Sequence, residues 1–155
     1  MTDDGSQRLL ADCMLGRLAR WLRLLGYNTA YENDASDLEL ARRARAEGRV
    51  LLTRDRDLAA RRGLRTLFVR SERLEEQIEE VREALGPPPA PSLSRCSVCN
   101  GKLEEVPAEE VADHVPPHVL RTHSHFRQCS RCGRIYWPGS HVAGMSGELE
   151  RFCGG

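Results

Sequence analysis

The apolar positions in the first half of the chain switch repeatedly between two periods. Residues 8–13, RLLADC, form a short apolar run that reads as a strand. Residues 14–26, MLGRLARWLRLLG, change to helical spacing: Leu15, Leu18, Leu22 and Leu25 share one face, and Gly26 stops the helix. A second strand follows at 27–32, YNTAYE. Residues 36–48, SDLELARRARAEG, predict a helix with Ser36 as N-cap, Glu39 completing a capping box and Gly48 at its end. The run RVLLTRD at 49–55 is continuously apolar before its charged end, as expected of a strand buried on both faces. LRTLFVRS (64–71) predicts a fourth strand and EEQIEEVREALG (75–86) a closing helix. This alternation predicts an α/β fold, a parallel sheet flanked by helices on both faces.

The pattern breaks at GPPPAPS, residues 86–92, which reads as a stiff linker. Beyond it the composition shifts to Cys, His, Pro and Gly. The expected organisation is an α/β domain at 1–86, a Pro-rich linker at 87–94 and a four-cysteine module at 95–155.

In that module, CSVCNGKL (96–103) and CSRCGRIY (129–136) each present Cys-x-x-Cys followed within two residues by glycine. The spacing lets two thiolates reach one ion, and the glycine allows a tight turn that points amide N–H groups at sulfur. Cys96, Cys99, Cys129 and Cys132 together suit a structural, tetrahedral zinc site with no open position for catalysis. The 29 residues between the knuckles exceed a usual ribbon interval, which predicts an inserted loop carrying VPPHVLRTHSHF. Disulfides and a thioredoxin-like redox motif are the competing readings. A reducing compartment disfavours the first, and two knuckles after a linker disfavour the second. Cys13 reads as a buried small residue and Cys153 as a terminal thiol, while His123 and His125 suit surface or RNA-facing positions.

Acidic residues recur where the predicted strands end. Functional groups in an open parallel sheet gather beyond the carboxyl ends of its strands. Asp12 lies near the end of the first strand, Asp55 at the end of the third, Asp57 in the turn after it, and Asp37 opens the helix after the second. If the first and third strands are neighbours, their ends lie about 5 Å apart. Four carboxylates on one rim repel unless a cation holds them, and hard carboxylate oxygens suit Mg2+ or Mn2+. The plainer reading is capping: Asp37 and Glu39 at one helix start, Asp12 and Asp57 at others. Arg54 and Arg56 alternate with the acids and are placed to offset their charge.

Arg17, Arg20 and Arg23 recur at three-residue spacing opposite the leucine face, with Trp21 at the boundary. Guanidinium groups beside an aromatic suit RNA phosphates and a stacked base, although a solvated helix face has the same pattern. Composition narrows the picture further. Hydrophobic residues make up 40% of the chain, enough for a core, and 23 basic residues balance 23 acidic ones. The balance is local, with 16 of each sign through Pro91 and 7 of each after it, so a general polyanion-binding tail is not indicated and a nucleic-acid site would have to come from local clustering. Lys102 stands alone beside 22 arginines, a bias that codon usage explains as well as phosphate recognition does. The acidic opening, MTDDGSQRLLADCML, lacks a signal peptide's basic and apolar regions, and no run of about 20 apolar residues is present. A cytoplasmic protein without a membrane segment is expected; its oligomeric state is left open.

The segments MLGRLARWLRLLGYNT, LLTRDRDLA, RCSVCNGKL and CGRIYWPGSH together resemble the PIN-like ribonuclease family named for the C-terminal domain of the Mut-seven exonuclease, over roughly residues 8 to 145. The resemblance implies a PIN-type α/β domain with a zinc ribbon and metal-dependent ribonuclease activity. Acids of PIN-like nucleases lie after the first strand, in the helix after the second, and after the third. The matching positions here are Asp12, Asp37 and Asp55, with Asp57 as a fourth; Glu39 or Asp34 can take the helix position instead. Trp137 and His141 of WPGSH match the ribbon's end, with no catalytic role implied for His141.

The leading reading is therefore a ribonuclease with Mg2+ or Mn2+ on Asp12, Asp37, Asp55 and Asp57, RNA gripped by Arg17, Arg20 and Arg23, and a structural Zn2+ ribbon aiding RNA binding. The alternative is a non-catalytic RNA-binding or ribosome-associated adaptor with a vestigial acidic site. A phosphatase Asp-x-Asp reading of DRD ranks last, because that chemistry places both acids after the first strand.

Overall fold

The computed structural model describes residues 7–90 and 93–137. Its first half holds strands β1 (Arg8–Ala11), β2 (Thr29–Tyr31), β3 (Arg49–Thr53) and β4 (Thr66–Phe68). Helices α1 (Gly16–Leu25), α2 (Asp37–Glu47), α3 (Arg56–Ala59) and α4 (Leu74–Leu85) follow them in alternation. The four strands are all parallel, in the order β2-β1-β3-β4.

Strand periodicity divides the core between the two faces of this sheet. Leu9, Ala11, Val50 and Leu52 point to one side, where they pack with Leu18, Leu22 and Leu25 of α1 and with Ile78 and Val81 of α4. Leu10, Ala30 and Leu51 point to the other and meet Leu40 and Ala44 of α2 and Leu58 of α3. Burial on both faces explains why β3 reads as an unbroken apolar run.

The helix ends follow the local rules. The capping box of α2 forms in full: the Glu39 amide donates to Ser36 Oγ, and the Ser36 amide donates to Glu39 Oε1. Gly26 ends α1 at φ 113°, where its amide and that of Tyr27 bond back to the Leu22 carbonyl. Several strands are shorter than their apolar runs. β1 stops at Ala11 because Asp12 caps a 3-10 turn over Cys13–Leu15.

A second sheet follows the proline segment. It is antiparallel, β5 (Leu103–Val106), β6 (Phe126–Cys129) and β7 (Ile135–Tyr136) in that order. The insertion between the knuckles forms helices α5 (Ala108–Val111) and α6 (Pro117–Thr122), with a small core of Val111, Val115, Val119 and Phe126. Trp137 packs edge-on against Phe126, with ring centroids 6.2 Å apart.

The two sheets do not pack as separate bodies. Cys96, Cys129 and Tyr136 belong to the same buried cluster as α1 and the face of β1 and β3. Tyr27 donates to the Gly86 carbonyl at the start of the proline segment, and the Leu93 amide donates to the Leu24 carbonyl at its far side. The prolines mark a change of composition rather than a gap in packing. Among the described residues, no helix is long and apolar enough to cross a membrane.

Leu22 is completely buried in the shared core. Leu22→Ala is expected to destabilise the protein by about 2–5 kcal/mol, read as a lowered urea midpoint.

Candidate functional site: an acidic sheet edge and a cysteine cluster

The central pairing of β1 with β3 brings Asp12 beside the end of β3. The Asp12 amide donates to the Leu52 carbonyl at 3.0 Å, continuing the strand ladder one step beyond β1. Its side chain, only 4% exposed, accepts from the Met14 amide through Oδ1 and from the Thr53 hydroxyl through Oδ2 at 2.5 Å. Thr53 is fully buried, and its Oγ1 in turn accepts from the Asp55 amide at 2.9 Å. One hydroxyl thus ties Asp12 to the backbone of Asp55.

Asp55 N-caps α3: its Oδ1 accepts from the amides of Asp57 at 2.8 Å and Leu58 at 3.2 Å. Both hydrogen bonds fall on the same oxygen, and the side chain lies at an exposed position. Asp57 and Asp37 are also exposed, in the first turns of α3 and α2. Asp37 opens α2, the helix that follows β2, and β2 is the strand beside β1. Of the other two acids in this region, Asp34 is exposed and Glu39 is held by Ser36, which lowers its pKa through the backbone and hydroxyl bonds.

The aspartates' oxygens are therefore of the right chemical kind for a hard divalent ion, and Asp12 and Asp55 are coupled through Thr53. The four do not form a compact ligand cluster. Among the described residues, the group of three or more potential metal ligands is Cys96, Cys99, Cys129 and Cys132.

Neighbouring arginines are engaged away from the acids, contrary to the alternation in sequence. Arg54 donates to the carbonyls of Arg70 and Ser71 and lies 3.8 Å from Glu72, while the Arg56 guanidinium sits 5.0 Å from the Phe68 ring centroid. On α1, Arg17 and Arg20 are exposed as predicted. Arg23 corrects the expectation. It is 5% exposed, and it donates through Nε to the Thr29 carbonyl at 2.8 Å and through Nη1 to the carbonyls of Ser97 and Val98 at 2.9 and 3.1 Å. Burial lowers its pKa, opposed by the sulfurs of Cys96 and Cys99. An arginine read as a phosphate contact is instead a bolt between α1, β2 and the first knuckle. Trp21 is likewise a core residue, 2% exposed, and not a surface stacking platform.

The four cysteine sulfurs lie within 4.8 Å of one another. Cys96 and Cys132 are 3.7 Å apart and Cys99 and Cys129 are 3.4 Å apart. A disulfide needs about 2.05 Å, whereas a tetrahedron of Zn–S bonds of about 2.3 Å has edges of about 3.8 Å. The separations suit a shared ion. Amides of Arg131 and Cys132 point at Cys129 Sγ, both at 3.4 Å. Burial works to raise that thiol, but these N–H donors together with hydrogen bonds from the Cys99 and Cys132 side chains bring it down to about 7. Tyr136 places its hydroxyl 3.1 Å from Cys96 Sγ and accepts from the Ser97 amide; burial pushes its own pKa up to about 12. Gly101 fits because it has no side chain: an added Cβ would lie 2.9 Å from Cys129 Sγ and 3.2 Å from Cys99 Sγ.

His123 and His125 stay outside this cluster, His123 facing its neighbour Thr122 and His125 exposed. Cys13 is an exposed thiol rather than a buried one. Cys153 and His141 lie outside the described residues. Sequence reasoning missed Thr53, whose only signal was a polar residue closing an apolar strand at the functional edge.

A parallel α/β sheet with acids at its carboxyl edge, joined to a four-cysteine module, defines the class of protein. The chain belongs to the Mut7-C RNAse domain family, whose model matches residues 7–149. No curated protein and no solved structure matches it.

Replacing Arg23 with Met leaves buried carbonyls of the knuckle without a donor. Arg23→Met is expected to cost about 1–3 kcal/mol in urea unfolding and to speed reaction of Cys96 and Cys99 with a thiol reagent. Arg23→Lys restores little of this, because an ammonium lacks the planar fork that spans these carbonyls.

Proposed function

We propose that this protein is a PIN-type, metal-dependent ribonuclease acting in the cytoplasm. The observation that carries the reading is the Asp12–Thr53–Asp55 connection at the carboxyl edge of the sheet, in a chain of an RNase domain family. Asp12 and Asp55 hold Mg2+ or Mn2+, and Asp37 and Asp57 are the further carboxylates on that edge. When bound there, the ion supplies Lewis acidity and an activated water for in-line attack at phosphorus. Thr53 contributes by orientation: its hydroxyl fixes one Asp12 oxygen and leaves the Met14 amide to fix the other. Arg17 and Arg20, exposed on the helix that leaves the acidic edge, bind RNA phosphates. The four cysteines hold a structural Zn2+ that stiffens the ribbon for RNA binding.

A second reading has two observations in its favour. Asp12 and Asp55 both cap short helical turns, and the four acids are not gathered into one ligand set. That arrangement suits an RNA-binding adaptor whose acids are retained as caps.

Cleavage of end-labelled single-stranded RNA by the purified protein separates the two. The nuclease reading expects cutting that requires added Mn2+ or Mg2+ and falls at least about 100-fold in Asp55→Asn, which still caps α3. Thr53→Val, nearly isosteric, is expected to lower kcat with little change in KM, because Asp12 loses the donor that orients it. Salt-sensitive RNA binding without cutting, equal in wild type and Asp55→Asn, would establish the adaptor instead. For the ribbon, zinc analysis of purified protein is expected to give one ion per chain, with a reduced content in Gly101→Ala because its methyl intrudes on two sulfurs.

A further inference from the structure

A cavity of about 400 Å³ opens where the β2 edge of the first sheet meets the cysteine knuckles. Its walls come from both modules: Arg43, Arg49 and Asn28 from the α/β half, Arg95, Asn100 and Arg131 from the cysteine half. Arg23 forms its floor, and Glu32 and Glu47 supply the carboxylates. Five guanidinium groups therefore face two carboxylates.

The carboxylates are concentrated on one side. Arg43 pairs with Glu32 at 3.1 Å and Glu47 at 3.0 Å, and Arg49 pairs with Glu47 at 2.5 Å. On the opposite wall, Arg95 donates to the Asn100 carbonyl and Arg131 to the Cys99 carbonyl. Arg131 is exposed and has no carboxylate within salt-bridge distance among the described residues. A zinc ion with four thiolates carries two negative charges, and Arg23, buried against the knuckle carbonyls, lies on that side to offset them. Guanidinium groups hold their charge at any working pH and match phosphate oxygens in pairs.

The cavity is also joined to the acidic edge. Tyr31 lines it, and the same tyrosine donates its hydroxyl to the carbonyl of Cys13, the residue after Asp12. Arg17 and Arg20 are exposed on α1 between that edge and the buried Arg23.

We propose that this junction cavity is a phosphate-binding subsite that holds the RNA strand away from the scissile bond, with Arg131 of the cysteine module as the principal donor and Arg43 and Arg95 in the facing walls. The proposal rests on the ribonuclease reading for its ligand. It gives the cysteine module a specific role, because that module completes a pocket that neither half forms alone.

The test measures binding of a short fluorescent oligouridine in the Asp55→Asn background, where the strand stays intact, across a salt series. Arg131→Glu is expected to weaken binding about tenfold and to reduce the slope of log affinity against log salt by ~0.7, one phosphate contact. Glu32→Gln, which removes a carboxylate from the wall, is expected to tighten binding, a gain that misfolding does not imitate. Arg121→Glu, the same charge change on α6 away from the cavity, is expected to leave binding within about twofold. Equal affinity and slope in all variants, while Asp55 protein cuts RNA, would overturn the subsite and leave the ribonuclease standing. Variants that alter uridine monophosphate binding but not the oligonucleotide would make it a free-nucleotide site and also overturn the proposal. No RNA binding by any protein, together with no cleavage, would remove both readings.

Discussion

Parallel pairing of β1 with β3 is the constraint on which the rest of the structure depends. These two strands are the centre of the sheet, so both of their faces are covered and their side chains must be apolar up to the last turn. Polar chemistry therefore gathers at the carboxyl end of the ladder, from Thr53, the last residue of β3, onwards. There the pairing continues through the Asp12 amide to the Leu52 carbonyl, which sets Asp12 against Thr53 and, through that hydroxyl, against Asp55. The acids are held by the strand register, not by contacts to one another. That arrangement keeps their oxygens partly satisfied by backbone donors while leaving Asp55 exposed at the edge.

The same helix that covers this sheet also fastens the second module. Leucines of α1 fill the core, and Arg23, one position after the fully buried Leu22, turns its guanidinium into the knuckle. Cys96 and Cys129 are buried in the same cluster as those leucines. Loss of order at the cysteines is thus transmitted to the sheet domain through shared packing. The junction cavity is a consequence of this docking: arginines distant in the chain face one another where the shared core and the bonds of Arg23, Asn28 and Asn100 hold the two surfaces together.

Much of the fold was legible because its signals are local. Apolar period, the Ser36–Glu39 box and terminal glycines each depend on residues within one or two turns, and the strand and helix order follows from them. The cysteine cluster was legible for a related reason, since two Cys-x-x-Cys knuckles already place each thiol pair. Arg17, Arg20 and Arg23 show where this fails. Their spacing marks one helical stripe, yet the third arginine lies where another module docks, and a long aliphatic stem lets a guanidinium serve buried carbonyls. Trp21 was read as a boundary residue for the same reason: the surface it covers belongs to the assembled core. The role of Thr53 depends on a cross-strand partner about 40 residues away, which no local pattern reports.

The sequence by itself determined the parallel α/β architecture, the four-cysteine cluster and the positions of acids at strand ends, because each follows from periodicity or from chemistry at short spacing. Only the tertiary structure decided which acids are coupled, which arginines face the junction, and that the two modules share one core and enclose a basic cavity. Those outcomes depend on strand order and docking, where the partners are far apart in the chain and meet only when apolar surface is buried between them.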